Sequence, residues 1–300
     1  MLQNPGETLR RLLQGEDIIM APGVYDGISA RVAEQAGFPM AYLSGAGVAA
    51  GYLGEPDIGL TNGSDVADVA RRITVKAGIP VLADADTGYG NPLNVMRTVW
   101  DLERAGCAGV QLEDQVAPKR CGHLNGKQCI PAEEFVAKIR AAKNERQNPE
   151  TVIVARTDAR AVYDLDEALR RAELYLNAGA DVLFVEAPQS LEEIRKIAET
   201  FRGVPLLINQ VIGGKTPRLT AAEAKGMGYK LIIYPDVMPF CASVMFQRAC
   251  NHIQKSGQSW DAIPDVHDSR ELFMTMGMKE WQDKELLCYR TSTVIGSKPL

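Results

Sequence analysis

Short apolar segments rich in Val, Ile and Leu recur along this chain, and amphipathic segments lie between them. Each apolar segment is only a few residues long and lacks clean alternation, as expected of parallel strands buried on both faces. Eight strands alternating with helices predict a (β/α)8 TIM barrel, an α/β fold. The predicted strands are Ile18–Ala21, Met40–Ser44, Pro80–Asp84, Gly109–Glu113, Val152–Arg156, Val182–Glu186, Pro205–Asn209 and Lys230–Tyr234.

The domain organisation follows from the absence of internal repeats and of any Pro/Gly/Ser-rich linker. Residues 1–300 are therefore predicted to form one barrel domain. Helical patterns lie between the strands, as at Leu93–Ala105, Leu165–Ala178 and Leu191–Phe201. After the eighth strand, Phe240–Ser256 and Ser269–Cys288 also have helical patterns and exceed what one closing helix needs. They predict a C-terminal helical extension over about 238–300. The pattern fits a helix packed on a neighbouring subunit and a cap on the same chain equally well.

Composition excludes several classes of function. Lys and Arg number 33 against 38 Asp and Glu, which gives a net charge of −5 without a clustered basic face, so nucleic acid is not an expected partner. No apolar run approaches the roughly 20 residues that span a membrane, and the N-terminus lacks a signal-peptide pattern. The six cysteines form no CxxC pair and predict reduced thiols in a cytoplasmic enzyme.

Polar side chains stand at the ends of most predicted strands, and the carboxyl ends of barrel strands are where active sites lie. One such residue would be interpreted as a helix cap, but a converging set favours a site. Asp84, Asp86 and Glu113 are the acidic members, with no His or Cys between them, so they indicate Mg²⁺, with Mn²⁺ as a substitute. The alternative is an acidic cluster neutralised by Arg or Lys. The polar strand ends are Ser44–Gly47, Asp84–Gly88, Glu113–Asp114, Arg156–Asp158, Glu186 and Asn209–Gln210.

Two loop segments add further candidates. The glycine-rich segment Ser44–Gly47 is predicted to present backbone N–H groups to an oxyanion or a carboxylate. After the fourth strand, Cys121 is flanked by basic residues, a setting that favours the thiolate and provides a proton donor or a nucleophile. The alternative for Cys121 is a buried structural cysteine. The glycines Gly122 and Gly126 suit a mobile lid.

These motifs together resemble the isocitrate lyase/phosphoenolpyruvate mutase superfamily over about residues 10–250. The Lys119–His123 segment, Lys-Arg-Cys-Gly-His, is the most specific of them, because it marks the carbon–carbon lyases and related hydrolases. The others are Tyr42–Gly45, Asp84–Gly90, Glu113–Gln115 and Ala155–Asp158. The resemblance implies a (β/α)8 barrel whose eighth helix is swapped between subunits. It also implies a homodimer or a homotetramer built as a dimer of helix-swapped dimers.

The resemblance assigns roles to individual residues. Asp84 would bind Mg²⁺ directly, and its waters would be held by Asp57, Asp86 and Glu113. Cys121 would be the general acid, Tyr42 would contact the substrate hydroxyl, and Arg156 would neutralise the enolate. The remaining members are backbone groups of Ser44, Gly45 and Ala46 for the keto-acid end, Lys119, Arg120, Gly122 and His123 around the cysteine, and Glu186 and Asn209 on the far side.

The implied activity is cleavage of the C2–C3 bond of a 2-hydroxy dicarboxylic acid. Methylisocitrate lyases of the family carry Asn-Ile-Thr-Glu-Phe-Gly after the seventh strand, whereas this chain has apolar Val211 and Ile212 in that segment. The difference favours 2,3-dimethylmalate or a related 2-alkylmalate, cleaved to pyruvate and an acid such as propionate. The alternatives are a 2-methylisocitrate lyase, an oxaloacetate acetylhydrolase that forms oxalate and acetate, and an inert barrel retained for assembly.

Overall fold

Eight parallel strands form the centre of the molecule in a computed structural model that describes residues 2–262 and 268–292. Their order in the sheet is β6-β5-β4-β3-β2-β1-β8-β7, and a parallel bridge between Leu183 and Leu206 links the two edge strands. The predicted (β/α)8 barrel is therefore confirmed. The strands are β1 Ile19–Val24, β2 Ala41–Leu43, β3 Val81–Asp84, β4 Gly109–Glu113, β5 Val152–Thr157, β6 Val182–Val185, β7 Leu207–Asn209 and β8 Leu231–Tyr234.

Helices separate the strands, and most begin at a side chain that caps the first turn. Asn91, for example, accepts hydrogen bonds from the N–H groups of Leu93 and Asn94, and Pro92 follows it as the first helical residue. The helices are α1 Pro5–Gln14, α2 Gly27–Gln35, α3 Gly45–Val48, α4 Gly63–Thr74, α5 Pro92–Arg104, α6 Ala132–Glu145, α7 Ala159–Val162, α8 Leu165–Asn177, α9 Leu191–Thr200, α10 Ala221–Gly226, α11 Val237–Ser256, α12 Arg270–Thr275 and α13 Met278–Ser292. A π-helical turn, Ala49–Leu53, continues α3.

The strand period of two residues separates two kinds of core. One set of side chains packs outward under the helices, and the alternate set fills the barrel, where Leu9 of α1 joins it. In β5 the interior positions are Val152 and Val154, and the next position in the same register is Arg156. The barrel interior is therefore apolar through most of its depth and becomes charged only at the carboxyl ends of the strands.

The chain divides into two compact units, Met1–Cys241 and Ala242–Leu300. The predicted extension from about 238 starts close to this division, and its parts at 263–267 and 293–300 lie outside the described residues. The single helix expected at Ser269–Cys288 is wrong, because α12 and α13 are separated at Gly277, whose φ of 86° ends a helix. All six cysteines are free. Within 2–262 and 268–292, no helix has the length and apolar character needed to cross a membrane.

Candidate active site

The carboxyl ends of the strands bring most of the predicted site residues to one rim of the barrel. Asp84, Glu113 and Asn209 are the last residues of β3, β4 and β7, and Arg156 is the penultimate residue of β5. Glu186 follows β6 directly. All five side chains are buried, so the sequence prediction of a polar rim holds.

Lys119 pairs with two of the predicted metal-site carboxylates. Its Nζ lies 2.5 Å from Asp57 Oδ1 and 2.8 Å from Asp86 Oδ1, and only 4% of the side chain is exposed. Burial alone would lower the pKa of Lys119, but Asp86 and Asp57 raise it well above its usual value. The alternative of an acidic cluster neutralised by a lysine is thus partly realised.

One lysine does not neutralise the whole cluster. Burial raises the pKa of Asp86 to about 6 in spite of Lys119, and the neighbouring charges of Asp84 and Asp57 add to the increase. Burial likewise raises the pKa of Glu113 well above its usual value, although Arg156 opposes this. The rim therefore holds carboxylates whose ionised forms are destabilised until more positive charge is supplied.

Arg156 is surrounded by three carboxylates. Its Nη1 lies 3.0 Å from Glu113 Oε2 and its Nη2 lies 3.5 Å from Glu186 Oε2. Two parallel hydrogen bonds, 2.9 and 3.1 Å, join its Nε and Nη2 to Asp158. This fork fixes the guanidinium plane at the rim. Asp158 was predicted as a polar residue at this strand end, within the Ala155–Asp158 motif, but no role was assigned to it.

A hydrogen-bonded chain connects Tyr42 with Asp84 through a residue that the sequence prediction missed. The Tyr42 hydroxyl donates to Gln111 Oε1 over 3.1 Å, and Gln111 Nε2 donates to Asp84 Oδ1 over 3.1 Å. Burial raises the pKa of Tyr42, so its phenol stays protonated. The available signal for Gln111 was a polar residue inside the apolar run Gly109–Glu113.

The glycine-rich segment after β2 forms the start of α3. The Ser44 N–H donates to the carbonyl of Val24, and its side chain caps the helix by accepting from the N–H of Gly47. Gly45 and Ala46 therefore carry the N–H groups of the first turn, which have no partner within the helix. A side chain on Gly45 would approach within 2.9 Å of Asp84 Oδ2, so this backbone lies directly against the carboxylate.

Residues 116–128, here called the lid, lie closed over the rim. The neck of the lid is an antiparallel bridge between Gln115 and Cys129. The Cys121 N–H donates to the carbonyl of Asp57 over 3.3 Å. A side chain on Gly122 would clash with Arg156 and Glu186, so only glycine allows this approach. The Arg120 guanidinium donates to the carbonyl of Asn125 on the lid itself, and its role in substrate binding stays a prediction.

Burial, rather than the basic neighbours in sequence, controls the Cys121 thiol. It raises the pKa of Cys121, opposed by a backbone hydrogen bond at His123. Burial thus opposes the expected thiolate, and Lys119 and Arg120 direct their charges to other partners. A protonated thiol fits the proton-donor role and not the nucleophile role.

His123 connects the lid with the far side of the rim. Its Nδ1 accepts a hydrogen bond from the N–H of Lys215 over 3.0 Å, and its Nε2 lies 3.3 Å from Glu186 Oε1. The acceptor role of Nδ1 places the proton of the neutral ring on Nε2, facing Glu186. Asn209 Nδ2 donates to Glu186 Oε2 over 3.2 Å. Burial lowers the pKa of His123, which favours this neutral ring.

The residues present fit a magnesium ion held largely through water. No three His, Cys, Asp or Glu side chains among residues 2–262 and 268–292 converge closely enough to enclose a metal by themselves. Asp84 pairs with no cationic side chain in that part of the chain, and the buried Glu113 Oε1 has no hydrogen-bond partner there. Mg²⁺ typically keeps several waters and binds through one or two carboxylates. Asp84 is thus the candidate direct ligand, with Asp57, Asp86 and Glu113 around it.

The sequence of the chain is similar to that of several known proteins. A family model described as phosphoenolpyruvate phosphomutase matches residues 9–254. The chain is 46% identical over 240 residues to a 2,3-dimethylmalate lyase of Eubacterium barkeri, covering 80% of this chain and 83% of that protein. It is 43% identical over 285 residues to a 2-methylisocitrate lyase of Aeropyrum pernix, covering 95% of this chain and 91% of that protein.

Solved structures show the same fold. A crystal structure of 2,3-dimethylmalate lyase, described as a PEP mutase/isocitrate lyase superfamily member, matches with a TM-score of 0.91 and 38% identity over 96% of both chains. An oxaloacetate acetylhydrolase in complex with 3,3-difluorooxalacetate matches with a TM-score of 0.89 and 34% identity over 99% of both chains. A phosphonopyruvate hydrolase in complex with oxalate and Mg²⁺ has a TM-score of 0.84 and 27% identity, covering 95% of this chain and 99% of that one.

Proposed function

The chain belongs to the phosphoenolpyruvate mutase/isocitrate lyase superfamily, and we propose that it is a Mg²⁺-dependent carbon–carbon lyase. The proposed reaction cleaves the C2–C3 bond of 2,3-dimethylmalate, or of a related 2-alkylmalate, to pyruvate and an acid such as propionate. The observation that carries the proposal is the lid, which brings Cys121 and Gly122 against Arg156 and the acidic rim. An inert barrel retained for assembly needs no thiol on a closed lid.

Each residue at the rim then has a physical task. Bound at Asp84, Mg²⁺ would supply a Lewis acid and a template for the 2-oxygen and its adjacent carboxylate. Asp57, Asp86 and Glu113 would hold the waters around the ion. The N–H groups of Gly45 and Ala46 would bind the keto-acid end, together with the backbone of Ser44. The protonated Tyr42 would hold the substrate hydroxyl by a hydrogen bond.

Bond cleavage moves one electron pair and one proton to C3. The 2-hydroxyl first gives its proton to a rim carboxylate, of the kind whose protonated form burial favours. Its oxygen then becomes the carbonyl of pyruvate as the C2–C3 bond breaks, and the electrons of that bond pass to C3 as an enolate. Arg156 would stabilise this developing negative charge, which is worth roughly 3–4 kcal/mol for one preorganised donor. The Cys121 thiol then gives its proton to C3. The closed lid excludes water during this step, with His123 and Glu186 holding its far side.

The choice of substrate depends on the segment after β7. Val211 and Ile212 are apolar, and the Ile212 N–H donates to Asp236 Oδ2 over 2.8 Å, which fixes the backbone there. An apolar contact distinguishes substrates by only about 1–3 kcal/mol per methylene, so overlapping lyase activities are expected. The second candidate, oxaloacetate hydrolysis, is favoured by the similarity to an oxaloacetate acetylhydrolase over the whole chain.

The test is a product assay by NMR with Mg²⁺ on 2,3-dimethylmalate, 2-methylisocitrate and oxaloacetate, run side by side. Pyruvate with propionate from dimethylmalate is the expected result. Pyruvate with succinate would identify a methylisocitrate lyase, and oxalate with acetate would show that the same site hydrolyses oxaloacetate. No product from any substrate would contradict the proposal. EDTA, followed by Mg²⁺ or Mn²⁺ addition, tests the metal in the same samples, and an EDTA-insensitive enzyme would exclude it.

Replacing Cys121 with serine tests the proton donor. We expect turnover to fall about 100-fold, because general acids typically contribute 10²–10⁴ to the rate. Folding and Mg²⁺ binding should remain unchanged, since Cys121 belongs to neither apolar core and serine differs from cysteine by one side-chain atom. The exposed Cys250 provides the matched Cys250→Ser control. Normal turnover in Cys121→Ser would remove this residue from the mechanism.

We also propose that the chain forms the predicted homodimer or homotetramer with swapped C-terminal helices. Met20 of β1 and Ile28 and Val32 of α2 are apolar side chains of the barrel that are 38%, 51% and 39% exposed. The C-terminal unit separately exposes Phe246, Leu272 and Phe273. Surfaces of this kind mark interfaces. Light scattering after size exclusion should give a dimer or a tetramer, and a monomer would contradict it. The cytoplasmic location stays a prediction.

A further inference from the structure

Lys127 is a buried lysine of the lid that the mechanism above does not use. Only 2% of its side chain is exposed. Its Nζ lies 2.8 Å from Asp158 Oδ1 and also donates to the carbonyl of Gly122, the residue after the reactive cysteine. A buried ammonium normally finds carboxylate and carbonyl partners together, because an unpaired one is very costly. Lys127 therefore ties two points of the lid, its own backbone and Gly122, to the end of β5.

Asp158 is the fixed partner in this contact. It is fully buried, and its N–H donates to Asp114 Oδ1 over 2.9 Å. Its carboxylate is shared between Lys127 and the fork of Arg156. Burial alone would raise the pKa of Asp158, but Arg156 and Lys127 lower it to about 2. The same anion thus orients the arginine of the rim and receives the lysine of the lid.

The two ends of the lid consequently insert two different cations into the rim. Lys119 pairs with Asp57 and Asp86 on one side, and Lys127 pairs with Asp158 on the other. Cys121 and Gly122 lie between them in sequence. Without Lys127, the buried carbonyl of Gly122 would lose its charged donor and Asp158 would be left to Arg156 alone.

We propose that Lys127 is a positioning residue, a latch that holds the lid closed and couples closure to the orientation of Arg156 through Asp158. The inference rests on the proposed function only for the identity of Cys121 as the reacting group. When the lid opens, Asp158 loses one of its two cations, so its hold on Arg156 changes together with the position of the thiol. Closing the lid and orienting the Arg156 guanidinium then occur together.

The test measures how well the lid covers Cys121, without any substrate. Iodoacetamide alkylates accessible thiols, and mass spectrometry reports the rate at Cys121 relative to a short cysteine-containing peptide added to the same sample. In Lys127→Met we expect this ratio to rise about tenfold, the change in equilibrium that loss of one charge-assisted hydrogen bond produces. Repeating the rates across pH separates exposure from thiol acidity, because a changed pKa moves the midpoint of the profile.

Three further variants make the result decisive. Lys127→Arg keeps the cation and should restore most of the protection, whereas Lys127→Gln keeps a donor without the charge and should be intermediate. Lys138→Met is the matched control, since Lys138 is also buried and donates to a carbonyl, that of Thr87, outside the lid. It should leave the ratio unchanged. An unchanged ratio in Lys127→Met, or equal increases in the methionine and arginine variants, would overturn the latch.

Failure of the lyase assignment would be seen separately. A wild-type protein that forms no pyruvate would contradict the proposed function but would leave the alkylation ratio fully interpretable. If Lys127→Met is insoluble, Lys127→Gln decides in its place, with thermal unfolding recorded for both. In an active enzyme, Lys127→Met should also lower kcat/KM about tenfold, and Lys127→Arg should recover it.

Discussion

The two ends of the barrel both carry networks of ion pairs, but they differ in charge balance. At the amino ends of β5 and β6, Asp181 receives Arg10, Lys143 and Arg146, and Arg10 also pairs with Glu150. Three cations there face two carboxylates. At the carboxyl ends, three cations, Lys119, Lys127 and Arg156, face six carboxylates: Asp57, Asp84, Asp86, Glu113, Asp158 and Glu186.

The buried polar atoms that lack a hydrogen-bond partner also distinguish the two ends of the barrel. Among the described residues, the buried side-chain oxygens without a hydrogen-bond partner all belong to residues at or after the carboxyl ends of strands, and Tyr89, Glu113 and Asn209 are examples. None belongs to the network around Asp181. Charge that the protein balances with its own ion pairs serves stability, whereas a buried excess of one charge needs a ligand. The difference favours the carboxyl end as the candidate site on the charge distribution alone.

Replacing Asp84 with asparagine should give the largest effect on function. The side chain keeps its shape and its contact with Gln111 but loses the charge proposed to bind Mg²⁺. We expect activity to fall about 10³-fold, the upper range for removal of one electrostatic contribution. Calorimetry should show weaker Mg²⁺ binding. Unfolding in urea without metal should need the same or more denaturant, because one of several repelling carboxylates has gone. A clear loss of stability would show that Asp84 serves the fold instead.

The strands were largely predictable because their apolar runs are bounded sharply. β4 begins and ends at Gly109 and Glu113, as predicted, and its final residue lies at the rim for the reason expected. The break at Gly277 was missed, because a glycine inside an apolar helical pattern does not by itself indicate an end. The hydrophobic periodicity thus predicts where a helix or strand lies better than it predicts a break within one.

The site was predictable where a strand end fixes the side chain and unpredictable where a loop does. Glu186 and Asn209 follow from strand position alone. The partners of Lys127 and the raised pKa of Cys121 depend on how the lid folds back over the rim. Its neighbours in sequence predicted an electropositive setting for Cys121, but burial raises its pKa, and that burial results from the closed lid.

Replacing Asp181 with asparagine applies the same substitution at the opposite end of the barrel. Asp181 Oδ2 accepts from the N–H of Ile153 over 2.9 Å and pairs with Arg10 and Arg146. Loss of its charge leaves these cations poorly paired, so the free energy of unfolding should fall by about 2 kcal/mol. Activity per folded molecule should not change. Reduced turnover at full stability would contradict the separation of a stabilising end from a catalytic end.

The smallest expected effect concerns His123, whose pKa burial lowers below the ordinary 6.5. Because the pKa of His123 is lower in the folded protein than in the unfolded chain, this residue costs the fold no stability above pH 6.5. Below pH 6.5 the unfolded chain binds the proton more readily, so the folded lid is destabilised as the pH falls. Protonation at Nδ1 also removes the acceptor for the Lys215 N–H. An NMR titration of the three histidines, with the His123 signal assigned by its loss in His123→Gln, should give a midpoint below 6.5. A midpoint at or above that value would mean that the charge of Glu186, 3.3 Å away, outweighs burial. The far side of the rim would then balance its own charge, as the amino end does, and the unbalanced acids would be confined to the Asp84 side.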